Sequence, residues 1–508
     1  MVCFVSSAFA RPKVEVETIY TTLDPHSISQ LLAFYSLYPE EAAGQRALKR
    51  AWALLQRHRK ETIAFSPLIF PPVDLAAMIA VVNPTFFTSP VKSLTKSQLQ
   101  MIEKIADHLS NRRLKGFSAL NKAALVSLPS EEIDLARALL IYAFDEDEAK
   151  LDKIRTYEAN LDLMALQILA YLPLNASDEA KIQAINRLIF YDQKFRFPPH
   201  SLWVHDVDLY TLLPAVLDSR RGVCLGVSVL YLALAQRLNL SLEIITPPGH
   251  IYLRYKAGEK TINIETTARG ISPPSKVYLG INTNALEQRS IKEVIGLTFI
   301  NQASSAWQRE HYAQALALYQ EALLFLPENP LLRMLLGYQY LLNGQLLAGI
   351  EALKQVKGVP FEGAIYPETL PEDFLTGKVD VEGIKAVFLH VDETRTSILA
   401  KQTKLKSALK RCPKFRNGLF HLAITYLQLG RRSEALAVLN RYHELDAHNP
   451  VVEYYLAILS IDRFHYHKAW QYLKNAEAIT AACNYTPQAL RCLRHRLRTL
   501  TPDPATLP

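Results

Sequence analysis

Asp218-Ser-Arg-Arg-Gly-Val-Cys-Leu-Gly-Val-Ser-Val-Leu-Tyr-Leu-Ala-Leu-Ala-Gln-Arg-Leu238 sets a polar turn directly before the longest apolar run of the chain, Val223 to Ala235. With apolar residues all round and no breaker inside, the run predicts a helix from about Val223 to Leu238, buried on every side. Cys224 falls in the first turn of that helix. The partial positive charge at a helix amino terminus favours a thiolate there. Gly226 carries no side chain just beyond it, which would leave room for a substrate backbone. A lone cysteine in an apolar helix is more often a packing residue than a nucleophile, so the chemistry depends on partners.

The next stretch offers them. After Pro247-Pro248-Gly249 the apolar period switches to two, in His250-Ile-Tyr-Leu-Arg-Tyr255 and Thr261-Ile-Asn-Ile-Glu265. These segments flank Ala257-Gly258 and predict a β-hairpin. A turn centred on Ala257-Gly258 sets His250 directly opposite Glu265. Alternation then puts His250, Tyr252 and Arg254 on one face with Thr261, Asn263 and Glu265, while Ile251, Leu253, Ile262 and Ile264 face a core. Directly opposed Cβ atoms lie about 4.5–5.5 Å apart, within reach of a carboxylate–imidazole hydrogen bond. A carboxylate that orients an imidazole, and an imidazole that activates a thiol, form the nucleophile–base–orienter set of covalent acyl transfer.

The rest of the chain is ordinary in composition. Its 508 residues allow about three or four domains. Apolar residues at 49% and charged residues at 21% exclude a largely disordered chain. No stretch reaches about 18 consecutive apolar residues, so no membrane-spanning helix is expected. The net charge of +8 is mild for this length and asks for no anionic partner. Five widely spaced cysteines, Cys3, Cys224, Cys412, Cys483 and Cys492, form neither a disulfide framework nor a zinc pattern. The amino-terminal run Met1 to Ala10, with Ala8-Phe-Ala10 before Arg11-Pro12, reads either as the remnant of a secretion signal or as a frayed terminus.

From about 24 to 175, apolar residues recur at helical spacing and Pro71-Pro72 and Pro84 break the pattern. Asp24 and Ser130 are candidate helix starts. His200-Ser-Leu-Trp-Val-His205-Asp206 has no third ordered ligand, and His465 and His467 cannot share a helix face, so neither is taken as a metal site. The basic runs Lys401 to Arg416 and Arg491 to Arg498 read as solvated helix faces. Without a nucleic-acid motif or aromatic platform, a nucleic-acid partner is not expected.

The last third repeats. Gly349 follows Ala315 by 34 residues, and Ala469 follows Ala435 by 34. Tyr319, Ala322 and Pro327 sit at fixed offsets, and Leu336-Gly337 with Tyr340 matches Leu422-Ala423 with Tyr426. This pattern resembles the tetratricopeptide repeat, a 34-residue helix–turn–helix unit. Four units are expected, at 296–329, 330–360, 416–449 and 450–482.

The segments Asp218 to Leu238, Pro248-Gly-His250 and Ile264-Glu-Thr-Thr-Ala-Arg-Gly270 together resemble the transglutaminase-like superfamily. Ala184-Ile-Asn-Arg-Leu-Ile-Phe190 and Leu213-Pro-Ala-Val-Leu217 are similar to its bacterial SirB-type branch, whose members join such a core to tetratricopeptide repeats. The resemblance implies a papain-like core with Cys224 as nucleophile, His250 as base and Glu265 as orienting partner. The superfamily usually carries Asp where Glu265 stands, and many SirB-type members lack the cysteine.

The expected fold is mostly α with a central α+β papain-like (transglutaminase-like) core and a carboxy-terminal α-helical tetratricopeptide solenoid. Residues 1–19 would be a signal remnant or disordered terminus, 20–176 a helical region and 177–290 the core. Residues 291–485 would hold the repeats, with an inserted loop near 361–400, and 486–508 a basic tail. Two functions follow: a cysteine protease, amidase or acyltransferase to which the repeats recruit a protein substrate, or an inactive interaction scaffold. Neither needs a cofactor or metal, and the partner in both is a protein or peptide in the repeat groove. The protein would be periplasmic or secreted if residues 1–10 are a signal remnant, and cytoplasmic otherwise.

Overall fold

A computed structural model describes residues 15–61, 63, 94–198, 209–392 and 394–504. The amino-terminal signal reading, Pro71-Pro72, Pro84, and the His200 to Asp206 loop lie outside the described residues. Helices dominate, and they form where apolar spacing meets a polar cap. Ser27 caps Ile28–Leu37 and Thr95 opens Lys96–Ile105 with a capping box through Gln98. Asp134 caps Leu135–Ala143, while Ser130 begins only a short 3₁₀ turn. The expected starts at Asp24 and Ser130 thus sit a few residues early. In both places a later side-chain oxygen meets the free amides.

The helix Cys224–Arg237 is the centre of the core, and nearly all of its residues after Cys224 are buried. It packs against Leu135–Ala143 and Lys150–Tyr171 of the preceding helical region. Two polar links fasten its far end. Gln236 donates to the Ile133 carbonyl and accepts from the Leu135 amide. Arg237, with a fully buried side chain, pairs with Asp162 at 2.9 Å.

Four short antiparallel strands lie against this helix: β1 Glu243–Thr246, β2 Tyr252–Ala257, β3 Lys260–Ile264 and β4 Glu287–Arg289, in the order β3-β2-β1-β4. Leu253 and Ile264 are fully buried between sheet and helix. The hairpin differs from expectation in register. Ala257 pairs with Lys260 and Leu253 with Ile264, so the turn is Gly258-Glu259 rather than Ala257-Gly258. Gly258 takes the left-handed φ of 58° that this turn requires. Continuing the register sets Glu265 opposite Tyr252, which leaves His250 diagonal to Glu265. The slip is two residues, so the two-residue period keeps every side chain on its expected face.

The helix pairs Ile291–Gln308 with Tyr312–Leu323, Pro330–Leu342 with Leu346–Val356, Arg416–Gln428 with Arg432–Leu445, and Pro450–Ile461 with Tyr466–Ala482 pack closely. Ala315, Ala435 and Ala469 are fully buried at their contacts. A Cβ on Gly349 would come within 2.5 Å of the Leu341 side chain. Small residues let the paired helices approach, and that requirement produces the repeat.

The segment 361–400 is not a simple loop. It holds Leu370–Leu375, Val381–Phe388 and the start of Arg395–Arg411, and the last two form a further helix pair. Phe388 sets its ring centroid 4.3 Å from Trp307 and 5.5 Å from Tyr338 at tilted angles, continuing the row between the second and third expected units. Residues 361–369 strap the array to the core. Asn284 donates its amide to the Gly363 carbonyl, and Ile365 to the Asn282 carbonyl.

Both basic runs expose most of their basic side chains, as expected of solvated helix faces, and Arg416 is the exception. Arg416 is buried and pairs with Glu372, Asp373 and Asp446 at 2.6, 2.8 and 3.1 Å. The tail forms the helix Gln488–Leu500, whose Leu490, Leu493 and Leu497 cover the end of the array. No helix among the described residues is long and apolar enough to cross a membrane. Removing one member of a buried pair leaves the other charged and unsolvated. Asp162→Ala, which strands Arg237, is therefore expected to lower unfolding free energy by about 3–5 kcal/mol, read from urea denaturation.

Candidate active site

Cys224 is the first residue of its helix, and Val223 at the cap offers no side-chain acceptor to the amides behind it. Two backbone bonds hold the approach. Val223 donates to the Tyr210 carbonyl at 3.1 Å, and Gly222 to the Arg196 carbonyl at 3.1 Å. Among the described residues no side chain caps the amides at this helix start, which lie beside the half-buried Cys224. Gly226 does not serve a substrate as expected. A Cβ there would come within 2.3 Å of the Tyr210 carbonyl oxygen, so the room is taken by the chain's own backbone.

His250 and Glu265 both lie just beyond the ladder, where the strands have ended. His250 closes a turn by donating its amide to the Pro247 carbonyl at 3.0 Å. Glu265 leads β3 into the short turn Thr266–Ala268. The Nε2 of His250 lies 2.7 Å from Oε2 of Glu265. The extra methylene of glutamate has a use in this register, because the diagonal separation of about 7–8 Å exceeds that of a directly opposed pair. With Nε2 engaged by the carboxylate, Nδ1 is the ring nitrogen left for a thiol. The Cys224 side chain lies near enough to the imidazole to favour its charged form. Thus the fold brings all three sequence-predicted residues together.

Charge shifts follow from these contacts. Burial of the His250 ring opposes its protonation, but the bonds and charges of Cys224 and Glu265 outweigh burial and push it up to about 10. Burial likewise disfavours a charged Glu265, yet hydrogen bonds from His250, Thr267 and Tyr278 bring its carboxyl down to about 2. An ionised carboxylate only accepts, so Nε2 carries the proton it shares with Glu265.

Two further members were not foreseen. Thr267 donates its hydroxyl to Glu265 Oε1 at 2.6 Å and its amide at 3.1 Å. The Tyr278 hydroxyl donates to Oε2, the oxygen that also meets His250. Its ring stacks on the His250 ring at 5.7 Å and on Tyr252 at 4.7 Å. Thr267 follows Glu265 at the spacing of a local side-chain turn, which the sequence could have suggested. Tyr278 stands in an irregular segment with no periodic signal. Among the described residues no group of three or more His, Cys, Asp or Glu side chains could hold a metal ion.

Residues 155–282 match the family described as Transglutaminase-like superfamily. That span includes Cys224, His250, Glu265, Thr267 and Tyr278. Among solved structures, a thermophilic TPR protein of Thermus thermophilus is 20% identical, over 40% of this chain and 97% of its own, with a TM-score of 0.21. A pilF protein of Pseudomonas aeruginosa is 16% identical, over 42% of this chain and 88% of its own, with a TM-score of 0.23. MamA is 14% identical, over 36% of this chain and 97% of its own, with a TM-score of 0.21. No curated protein matches the sequence.

The two shifts make stability depend on pH with opposite signs. A raised His250 stabilises the fold fully below its ordinary 6.5, and this is lost as pH climbs toward about 10. A lowered Glu265 stabilises fully above its ordinary 4.5, and this is lost as pH falls toward about 2. Both contributions are complete only between 4.5 and 6.5. The drop in thermal midpoint caused by His250→Ala should therefore be largest near pH 5–6 and shrink by about pH 10. A deficit independent of pH would contradict it.

Proposed function

We propose that Cys224, His250 and Glu265 catalyse acyl transfer from a protein carboxamide or peptide bond, and that the repeat array presents the protein substrate. The contact carrying this reading is the 2.7 Å bond between His250 and Glu265, with the Cys224 thiol against the same ring. The match to the transglutaminase-like superfamily over residues 155–282 supports it, and with the repeats that follow it favours the SirB-type branch and a papain-like core.

In the first step the Cys224 thiolate attacks the carbonyl carbon, forming the S–C bond. The C–N bond then breaks, the departing amine takes a proton from the His250 imidazolium, and a thioester remains. Water or an amine next attacks the thioester carbon and gives its proton to neutral His250. The S–C bond breaks and the thiolate returns. Glu265 fixes the ring tautomer and supports its positive form. The Cys224 amide, at the helix start, would stabilise the oxyanion. An inactive interaction scaffold is the second reading, favoured by Glu265 standing where the superfamily usually carries Asp.

A thiol beside an imidazole is activated by it as a nucleophile. At pH 7, iodoacetamide should label Cys224 at least about tenfold faster than the partly buried Cys412 or the exposed Cys483. Peptide mapping reads the rates, and equal labelling would remove the nucleophile. Cys224→Ala separates the two readings: an enzyme loses its cellular function with its fold intact, and a scaffold keeps it.

A further inference from the structure

Glu265 is held through both of its carboxylate oxygens. Oε1 accepts the Thr267 amide at 3.1 Å and the Thr267 hydroxyl at 2.6 Å. Oε2 accepts His250 Nε2 at 2.7 Å and the Tyr278 hydroxyl. A pair of donors on each oxygen fills the roughly four acceptor sites of an ionised carboxylate. Every torsion of the glutamate must be aligned to bridge the diagonal to His250, and freedom in any of them lets the carboxylate swing off the ring. Thr267 restrains Oε1, one bond away from the working contact. Tyr278 restrains Oε2, the oxygen that meets the imidazole.

Tyr278 is itself fixed from both sides. Before it, the buried Asn263 donates its side-chain amide to the Pro273 carbonyl at 2.7 Å and to Ser275 Oγ at 3.0 Å. The Asn263 backbone amide donates to Ser272 Oγ at 3.0 Å. Tyr252 donates its hydroxyl to the same Ser275 Oγ at 3.3 Å, and the Tyr278 ring stacks on its ring. After it, the Tyr485 hydroxyl, beyond the last repeat, donates to the Gly280 carbonyl at 2.9 Å. The Asn282 side chain donates to the Tyr366 carbonyl of the strap and accepts from the Tyr366 amide. Core, strap and array thus all set where the Tyr278 hydroxyl lies. Burial and the adjacent Glu265 push ionisation of the phenol upward, so Tyr278 remains a neutral donor.

We infer that Tyr278 is a positioning residue for the acyl transfer: its hydroxyl fixes Glu265 in the orientation that reaches His250, which keeps the proton on Nε2 and leaves Nδ1 for Cys224. This rests on the acyl-transfer reading and adds a residue to it. A tyrosine kept for packing alone would stack on His250 and Tyr252 equally well as phenylalanine, so the role lies in the hydroxyl.

Tyr278→Phe keeps the ring and deletes the hydroxyl, and the full chain is used throughout. The rate of Cys224 alkylation by iodoacetamide at pH 7 should fall about tenfold, the scale of one hydrogen bond to a charged group. Nitrogen-15 histidine NMR gives a second readout in the Nε2 proton of His250, assigned by its loss in His250→Gln. In the wild-type chain this proton should resonate downfield and resist solvent exchange, as a charge-assisted bond requires. In Tyr278→Phe it should move upfield and exchange about tenfold faster. In a Glu265→Ala background, Tyr278→Phe should slow alkylation no further, because a residue that acts through Glu265 then has nothing to act on. If Glu265→Ala does not fold, the His250 resonance in Tyr278→Phe decides alone. An undiminished alkylation rate, an unmoved His250 resonance, or an undiminished further loss in the double variant would overturn the proposal. Wild-type Cys224 that labels no faster than Cys483 would instead remove the acyl-transfer reading, and the His250 resonance would still show whether Tyr278 holds the pair.

Discussion

Burial of the Cys224–Arg237 helix on every side constrains everything around it. Such a helix cannot turn a polar face to water, so its neighbours must cover it completely. The preceding helices do so on one flank and the small sheet on the other. Along its length only isolated polar contacts appear among the described residues, Ser228 with Thr266 and the Tyr231 hydroxyl with the Ile182 carbonyl. At the far end Arg237 is neutralised by Asp162, and at the near end Cys224 emerges half-buried. A fully packed element thereby carries the Cys224 thiol to the edge of the core.

The hairpin meets this edge with its free ends rather than with its ladder. His250 and Glu265 lie outside the regular strands, where their backbone groups are committed to turns instead of the ladder: His250 donates to Pro247, and Glu265 donates to Ile271 and accepts from Ala268 and Gly270. Stability at this place comes from convergence on the buried Glu265 carboxylate. Thr267, Tyr278 and His250 all donate to one carboxylate, and the Tyr278 ring backs the imidazole. Hydrogen bonds to a charged group are among the stronger ones, and they add to the single bridge between Glu265 and Ile271 in holding the cluster.

The strap at 361–369 gives the array a defined position relative to this edge. It adds backbone bonds to the core loop at 282–284, and Tyr366 donates to Asp446 of the repeats. Arg416, which the sequence presents as one more residue of a basic run, is the ion-paired hub of the same junction. The array is therefore held against the loop bearing His250 instead of swinging on a flexible linker.

Periodic features were legible from residue order alone. The 34-residue spacing of small residues, the buried apolar helix and the faces of the hairpin all follow from repeats of 3.6 and 2, which local sterics impose wherever the chain folds. The grouping of Cys224, His250 and Glu265 was legible for the same reason, since a register slip of two leaves a face unchanged. The turn at Gly258-Glu259, the helix pair within 361–411, the burial of Arg416 and the role of Tyr278 were not. Each depends on which distant surface the segment meets, and a pairing between residues far apart in the chain leaves no period to read. Side-chain alternation is a local property of the backbone, whereas the partners of a carboxylate or a guanidinium are chosen by long-range packing, and here that packing assembled the site.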